Sequence, residues 1–82
     1  MRYDPRLYSD EAQFMAMLGT RIRSGMAEKG WGYRRTAREA GISESSLNGY
    51  IVGRHEPSAW ALASIAQALG VTSDWLLGLE EE

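Results

Sequence analysis

The chain has 82 residues, the length of one small domain. It contains no cysteine, which excludes disulfide-stapled and cysteine–zinc folds, and it has neither a signal-peptide core nor an apolar run long enough to span a bilayer. The net charge of −2 differs from the strongly basic balance of a typical nucleic-acid-binding domain. These totals predict a soluble, cytoplasmic protein.

The charges are distributed unevenly along the chain. Three of the eleven acidic residues form a predicted acidic tail at 80–82, and the remainder of the chain is slightly positive. Between Tyr33 and His55 four arginines stand against two glutamates. This segment is weakly basic, but its charge alone indicates no particular partner.

Residues 9–29 predict the first helix. Either Ser9 or Asp10 can cap its start. Gly19 and Gly25 lie inside it, and each lowers the expected helix stability by about 1 kcal/mol relative to alanine. Apolar residues at a spacing of four predict one buried stripe, formed by Phe14, Leu18, Ile22 and Met26.

Two short helices are predicted next, over 33–40 and 44–51. Gly41 is the expected left-handed C-cap of the former, and Ser43 the N-cap of the latter. Because the connection is so short, the two helices cannot lie antiparallel and must cross steeply. The third helix is expected to bury Leu47, Tyr50 and Ile51.

The outer face of the third helix carries only small or polar residues. Exposed helices usually display Lys and Glu, so this trim face indicates a partner that approaches closely. Its members are Glu44, Ser45, Ser46, Asn48 and Gly49.

The last two helices follow a loop that contains Pro57. Ser58 caps the predicted fourth helix, over 59–69, and residues 72–77 predict a fifth of one or two turns. No segment alternates with a period of two, so the predicted fold is all-α. The inward residues of the fourth helix are expected to be Leu62, Ile65, Ala66 and Leu69.

Four stretches stand in the order and at the spacing of a known family: "LGTRIRSGMAEKGW", "TAREAGISESSLNGYIVGR", "EPSAWALASIAQALGV" and "SDWLLG". Through them, residues 18–78 resemble the lambda-repressor-like (Cro/repressor, XRE-like) DNA-binding domain. The resemblance implies a compact five-helix bundle over 9–79, in which helices 2 and 3 form a helix-turn-helix. Helix 3 would enter the major groove, and a groove about 12 Å wide admits only a trim helix.

The resemblance places the base-reading residues on helix 3: Glu44, Ser45, Asn48 and Gly49. Glu44 could accept a hydrogen bond from a cytosine N4 amine, and Ser45 could donate or accept. Gly49 would leave room for a thymine methyl. Because these contacts are few, DNA shape or the N-terminal segment is expected to add specificity.

Phosphate contacts are expected from helix 2 and from the loop after helix 3. Tyr33 stands where the family often has a glutamine, and its hydroxyl can donate to a phosphate oxygen. An alternative interpretation stays open, in which the arginines of helix 2 and of the loop after helix 3 are solvated charges. His55 would then be an ordinary loop residue, and Glu44 would only interact favourably with the helix dipole. The expected set is Tyr33, Arg34, Arg38, Gly53, Arg54 and His55.

Two departures from the family pattern involve three positions. Met26 and Ile51 replace a buried Arg–Glu pair of many relatives, and because both charges are absent, neither is left unpaired. Thr36 stands where Leu or Val is usual, and its hydroxyl requires a helical carbonyl as acceptor.

The aromatic residues leave one question open. Trp31 and Trp75 occupy usually apolar positions and are expected in the core. Trp60 lies on a usually polar face. It covers the predicted N-terminal arm, residues 1–8, fills space left by Ala59, or marks a partner surface. In that arm, Arg2 and Arg6 are further candidates for reaching DNA.

The resulting prediction is a sequence-specific, double-stranded-DNA-binding transcriptional regulator, of phage-repressor or Cro-like type. One short helix reads few base pairs, so a homodimer on a pseudo-palindromic operator is expected. Its location would be the cytoplasm of a bacterial or phage-infected cell, with the nucleoid. The predicted dimer surface comprises Trp75, Leu76 and Leu79.

Other function classes fit less well. The chain has one histidine and no glycine-rich phosphate loop, so we expect no enzyme, metal site, cofactor or small-molecule ligand. The alternative is a protein-interaction module, such as an antitoxin or adaptor, which the net charge of −2 and the bare Gly49 favour modestly.

Overall fold

The computed structural model describes residues 11–80, and five α-helices follow one another there without a β-strand. They are α1 (Glu11–Lys29), α2 (Tyr33–Ala40), α3 (Glu44–Val52), α4 (Ala59–Leu69) and α5 (Ser73–Leu76). The all-α, five-helix prediction is confirmed. The N-terminal arm, the Ser9 or Asp10 cap and the end of the acidic tail lie outside the described residues. No helix between residues 11 and 80 is long and apolar enough to cross a membrane.

Hydroxyl side chains begin three of the helices, because each satisfies an amide of the first turn that has no partner within the helix. The predicted caps of α3 and α4 are confirmed. The Oγ of Ser43 accepts from the Ser46 amide at 3.0 Å, that of Ser58 from the Ala61 amide at 3.1 Å, and the Oγ1 of Thr72 from the Trp75 amide at 3.0 Å.

The turn between α2 and α3 is closed by backbone hydrogen bonds. Gly41 has φ 73°, the left-handed conformation that ends α2 as predicted. Its amide donates to the carbonyl of Arg38 at 3.2 Å, and the Ile42 amide donates to that of Ala37 at 3.0 Å. Ser43 then starts α3, so the two helices meet at a fixed, short corner.

The core lies between α1, α2, α3 and α4, with one residue from α5. Three members of the predicted α1 stripe are buried, whereas Phe14 is half-buried and lines an open cavity of about 120 Å³ at the edge of the bundle. Tyr50 and Leu62 are also only half-buried. The largest fully buried side chains are Ile22, Leu47, Ile65, Leu76 and Thr36.

Thr36 is completely buried, and its Oγ1 donates to the carbonyl oxygen of Gly32 at 2.9 Å. The hydroxyl therefore has the helical acceptor that its position requires.

The two tryptophans expected in the core are half-buried instead. Cations cover their outer faces: Lys29 Nζ and Arg35 Cζ lie 5.4 and 4.9 Å from the ring centroid of Trp31, and Arg21 Cζ lies 4.8 Å from that of Trp75. A ring covered by a cation gains attraction without full burial.

The glycines of α1 permit close helix packing. A Cβ added to Gly19 would lie 2.1 Å from the carbonyl oxygen of Ile51, so the backbones of α1 and α3 touch there. A Cβ added to Gly25 would lie 3.0 Å from Leu69 Cδ1 in α4. Gly19 thus fixes how closely α3 lies against α1.

We expect Gly19→Ala to lower the free energy of unfolding by about 1–3 kcal/mol, because the new methyl group meets backbone that cannot rotate away. Chemical denaturation measures the change. Gly32→Ser is the matched control, since a Cβ at Gly32 meets nothing within 4 Å. Equal stability of the two variants would contradict the close α1–α3 contact.

Glu56, in the loop before α4, lies beside Glu11 at the start of α1. A side-chain hydrogen bond with Glu11, charge repulsion from it and slight desolvation raise the pKa of Glu56 above its ordinary value. The folded chain therefore binds more protons than the unfolded chain between the two pKa values. The repulsion destabilises the fold above the raised pKa and is relieved as the pH falls through it.

Glu56→Gln is accordingly expected to raise the melting temperature at pH 7, and the gain over the wild type should vanish below about pH 4. Thermal melts across this pH range measure it. Glu28→Gln, on an exposed position of α1, controls for the loss of one negative charge. A lower melting temperature of Glu56→Gln at pH 7 would refute the repulsion.

Candidate nucleic-acid interface

Helix α3 divides into a buried and an exposed side. Leu47 and Ile51 enter the core, and this places Glu44 and Ser45 on the exposed side at the start of the helix. Asn48 is half-buried at the edge between the two sides. The start of α3 thus offers a short acidic side chain and a hydroxyl to an approaching partner.

Hydroxyls fix the geometry of this helix start. Besides accepting from the Ser46 amide, the Oγ of Ser43 donates to the Oγ of Ser46 at 2.9 Å. These two serines are engaged with each other, whereas Ser45 projects outward.

An ion pair links the two helices of the corner. Arg34 Nε in α2 lies 3.7 Å from Glu44 Oε2 in α3, and the two side chains are 87% and 56% exposed. Such an exposed pair adds little stability. The pair places a cation next to Glu44, the one carboxylate on the outer face of α3. The charge of Arg34 therefore reduces the repulsion between that carboxylate and an anionic partner.

Gly49 is not an open position, contrary to the expectation from the sequence. It is buried, and a Cβ added to it would lie 2.2 Å from Nε2 and 2.5 Å from Cε1 of His55. The chain reverses at Gly53 (φ 81°), and the amides of Arg54 and His55 donate to the Gly49 carbonyl at 2.8 and 3.4 Å. The imidazole thereby fills the space reserved in the prediction for a thymine methyl.

The expected phosphate-contacting residues differ in exposure. Arg34, Arg38, Arg54 and His55 are exposed, whereas Tyr33 and Gly53 are half-buried. Tyr33, the first residue of α2, also packs against the core.

A third arginine of α2 is engaged elsewhere. Arg35 covers Trp31, and its Nε lies 3.5 Å from Glu39 Oε2 one turn later.

The expected dimer surface needs one correction. Leu76 is fully buried in the core, so it cannot contact a second chain. Trp75 and Leu79 are half-buried, and Arg21 ties Trp75 to α1 through a hydrogen bond from Nη1 to the Trp75 carbonyl at 3.1 Å.

Among the residues that the structure describes, two large apolar side chains are exposed: Trp60 at 65% and Val52 at 53%. Val52 ends α3 and was not singled out in the sequence, since a lone valine at a helix end carries no distinguishing pattern. Within residues 11–80, no group of three or more histidine and acidic side chains could hold a metal ion.

Comparison with known proteins agrees with this architecture. A family model described as a helix-turn-helix domain matches residues 17–76. A crystal structure of a hypothetical transcription factor, NHTF, from Neisseria superposes with a TM-score of 0.76 at 28% sequence identity, covering 83% of this chain and 78% of that one.

Two relatives from Bacillus subtilis are described as HTH-type transcriptional regulators. YonR, which is prophage-derived and uncharacterized, is 33% identical over 61 residues, or 74% of this chain and 56% of that protein. AnsR is 40% identical over 55 residues, or 67% of this chain and 47% of that protein. The chain spans about half the length of each. By its helical corner and by this similarity, the chain belongs to the helix-turn-helix family, as the motifs within residues 18–78 predicted.

Proposed function

We propose that the protein is a sequence-specific transcriptional regulator that places α3 in the major groove of double-stranded DNA. The observation that carries this proposal is the start of α3, where Glu44 and Ser45 are exposed beside Arg34 while the opposite face fills the core. A trim, polar helix start next to a cation suits base edges flanked by phosphates. The setting would be the bacterial cytoplasm.

In this arrangement the contacts divide into two classes. Ser45 and Glu44 would reach base edges, with Asn48 at the margin, and the exposed arginines of α2 and the α3–α4 loop would hold phosphates. Arg34 would serve both classes, because it also neutralises Glu44.

A homodimer is the second part of the proposal. One α3 covers too few base pairs for strong discrimination, so two copies would read the halves of a pseudo-palindromic operator. With Leu76 in the core, Leu79 and the exposed edge of Trp75 remain as the candidate contact residues on α5 and after it.

The exposed Trp60 and Val52 favour one rival, a protein-interaction module such as an antitoxin or adaptor. The salt dependence of duplex binding separates the two. A DNA-binding protein loses affinity linearly on a log–log plot, with a slope of about −0.9 per phosphate contact. An adaptor binds duplex no better than background at about 50 mM salt.

Selection of duplexes from a random pool tests the proposal directly, and we expect one enriched half-site in two inverted copies. On that operator, Ser45→Ala should weaken binding roughly 25-fold, about fivefold for the one hydrogen bond lost in each half-site, and binding to random duplex should stay unchanged. Arg54→Ala is the matched control: it should weaken both duplexes alike and reduce the salt slope by about 0.9 for each bound chain. An unchanged operator-to-random ratio for Ser45→Ala would remove that residue from base readout.

Sedimentation of the protein with operator duplex tests the dimer. The expected complex contains two chains per duplex, and Leu79→Ser should shift it towards one chain by removing apolar contact area. Complexes that contain a single chain at saturating protein would exclude the homodimer.

A further inference from the structure

The outer face of α3 carries a side chain from outside the helix. Gly49 follows Ser45 by four residues, so the two positions share one face. At position 49 the space for a side chain is filled by the imidazole of His55, whose Nε2 and Cε1 lie 2.2 and 2.5 Å from where a Cβ would stand. His55 therefore presents on α3 the side chain that Gly49 lacks.

The loop holds the imidazole in this position. Gly53 reverses the chain in the left-handed conformation, and the amides of Arg54 and His55 both donate to the Gly49 carbonyl. The ring of Tyr50 meets that of His55 edge to face, with centroids 5.4 Å apart and planes at 83°. His55 is thus fixed to α3 by its own backbone and by a neighbouring ring.

We propose that His55 is a specificity-determining residue one helical turn beyond Ser45, and that it selects a purine in each half-site. The inference rests on the proposed function, in which α3 faces base edges. A neutral imidazole has one N–H donor, and the major-groove edges of guanine and adenine both present N7 as acceptor. Exchanging purine and pyrimidine within that base pair moves N7 to the opposite strand.

An operator in which single purines are replaced by their 7-deaza analogues tests this contact at one atom, because base pairing is kept and only N7 is lost. The affinity of the wild type should fall roughly fivefold when the purine at one position of either half-site is replaced by its 7-deaza analogue. The affinity of His55→Ala should not change on the same replacement. On unmodified operator, His55→Ala removes this contact from both half-sites, so its loss should be roughly 25-fold, with random duplex unaffected.

Gly49→Ala tests whether the position of the imidazole against Gly49 matters. Its methyl group would displace the imidazole, a movable end of an exposed side chain, so the protein should stay folded and behave like His55→Ala. The double variant Gly49→Ala/His55→Ala should show no further loss. Arg54→Ala, in the same loop, should keep the wild-type response to the 7-deaza position. Melting temperatures of all variants establish that each is folded.

Two results would overturn this inference and leave the proposed function intact. In the first, His55→Ala responds to every 7-deaza position as the wild type does. In the second, His55→Ala loses affinity equally for operator and for random duplex. Additive losses in the double variant would also contradict it, since the ring would then act independently of Gly49. If the wild type selects no sequence from the random pool, the proposed function fails and this inference fails with it.

Discussion

The touching backbones of α1 and α3 at Gly19 determine the orientation of the whole candidate interface. With only a hydrogen atom at this position, the carbonyl of Ile51 lies against α1, and Leu47 reaches full burial. That contact also decides which side of α3 faces outward, because the helix cannot rotate without withdrawing its two core residues. The exposure of Glu44 and Ser45 is therefore a consequence of packing on the other side of the bundle.

The electrostatics of the surface are more specific than the net charge of −2 suggests. Lys29 and Arg35 are drawn to Trp31, and Arg21 to Trp75, so these three cations serve the fold. Of the basic residues, Arg34 stands beside α3, paired with the carboxylate there. A whole-chain charge averages over both kinds of cation and hides this division.

Signals confined to a few neighbouring residues predicted the helix limits, the hydroxyl caps and the left-handed turn, because those depend only on local backbone chemistry. Features that depend on distant residues were missed. Gly49 is covered by the imidazole of His55, and the position of His55 depends on the path of the chain after α3. The inward residue of α5 was misjudged as Trp75 rather than Leu76, since a single turn is too short to show a period. Gly19 was interpreted as a weakness of α1 because its neighbour lies in another helix.

The left-handed glycines before and after α3 have a consequence for the evolution of such a protein. Gly41 and Gly53 set the path of the chain into and out of the helix, and two apolar residues anchor it. The outward residues take almost no part in folding. Substitutions at Glu44 or Ser45 can therefore accumulate with little loss of thermodynamic stability, so the chemistry of this exposed surface can diverge among descendants of one stable scaffold.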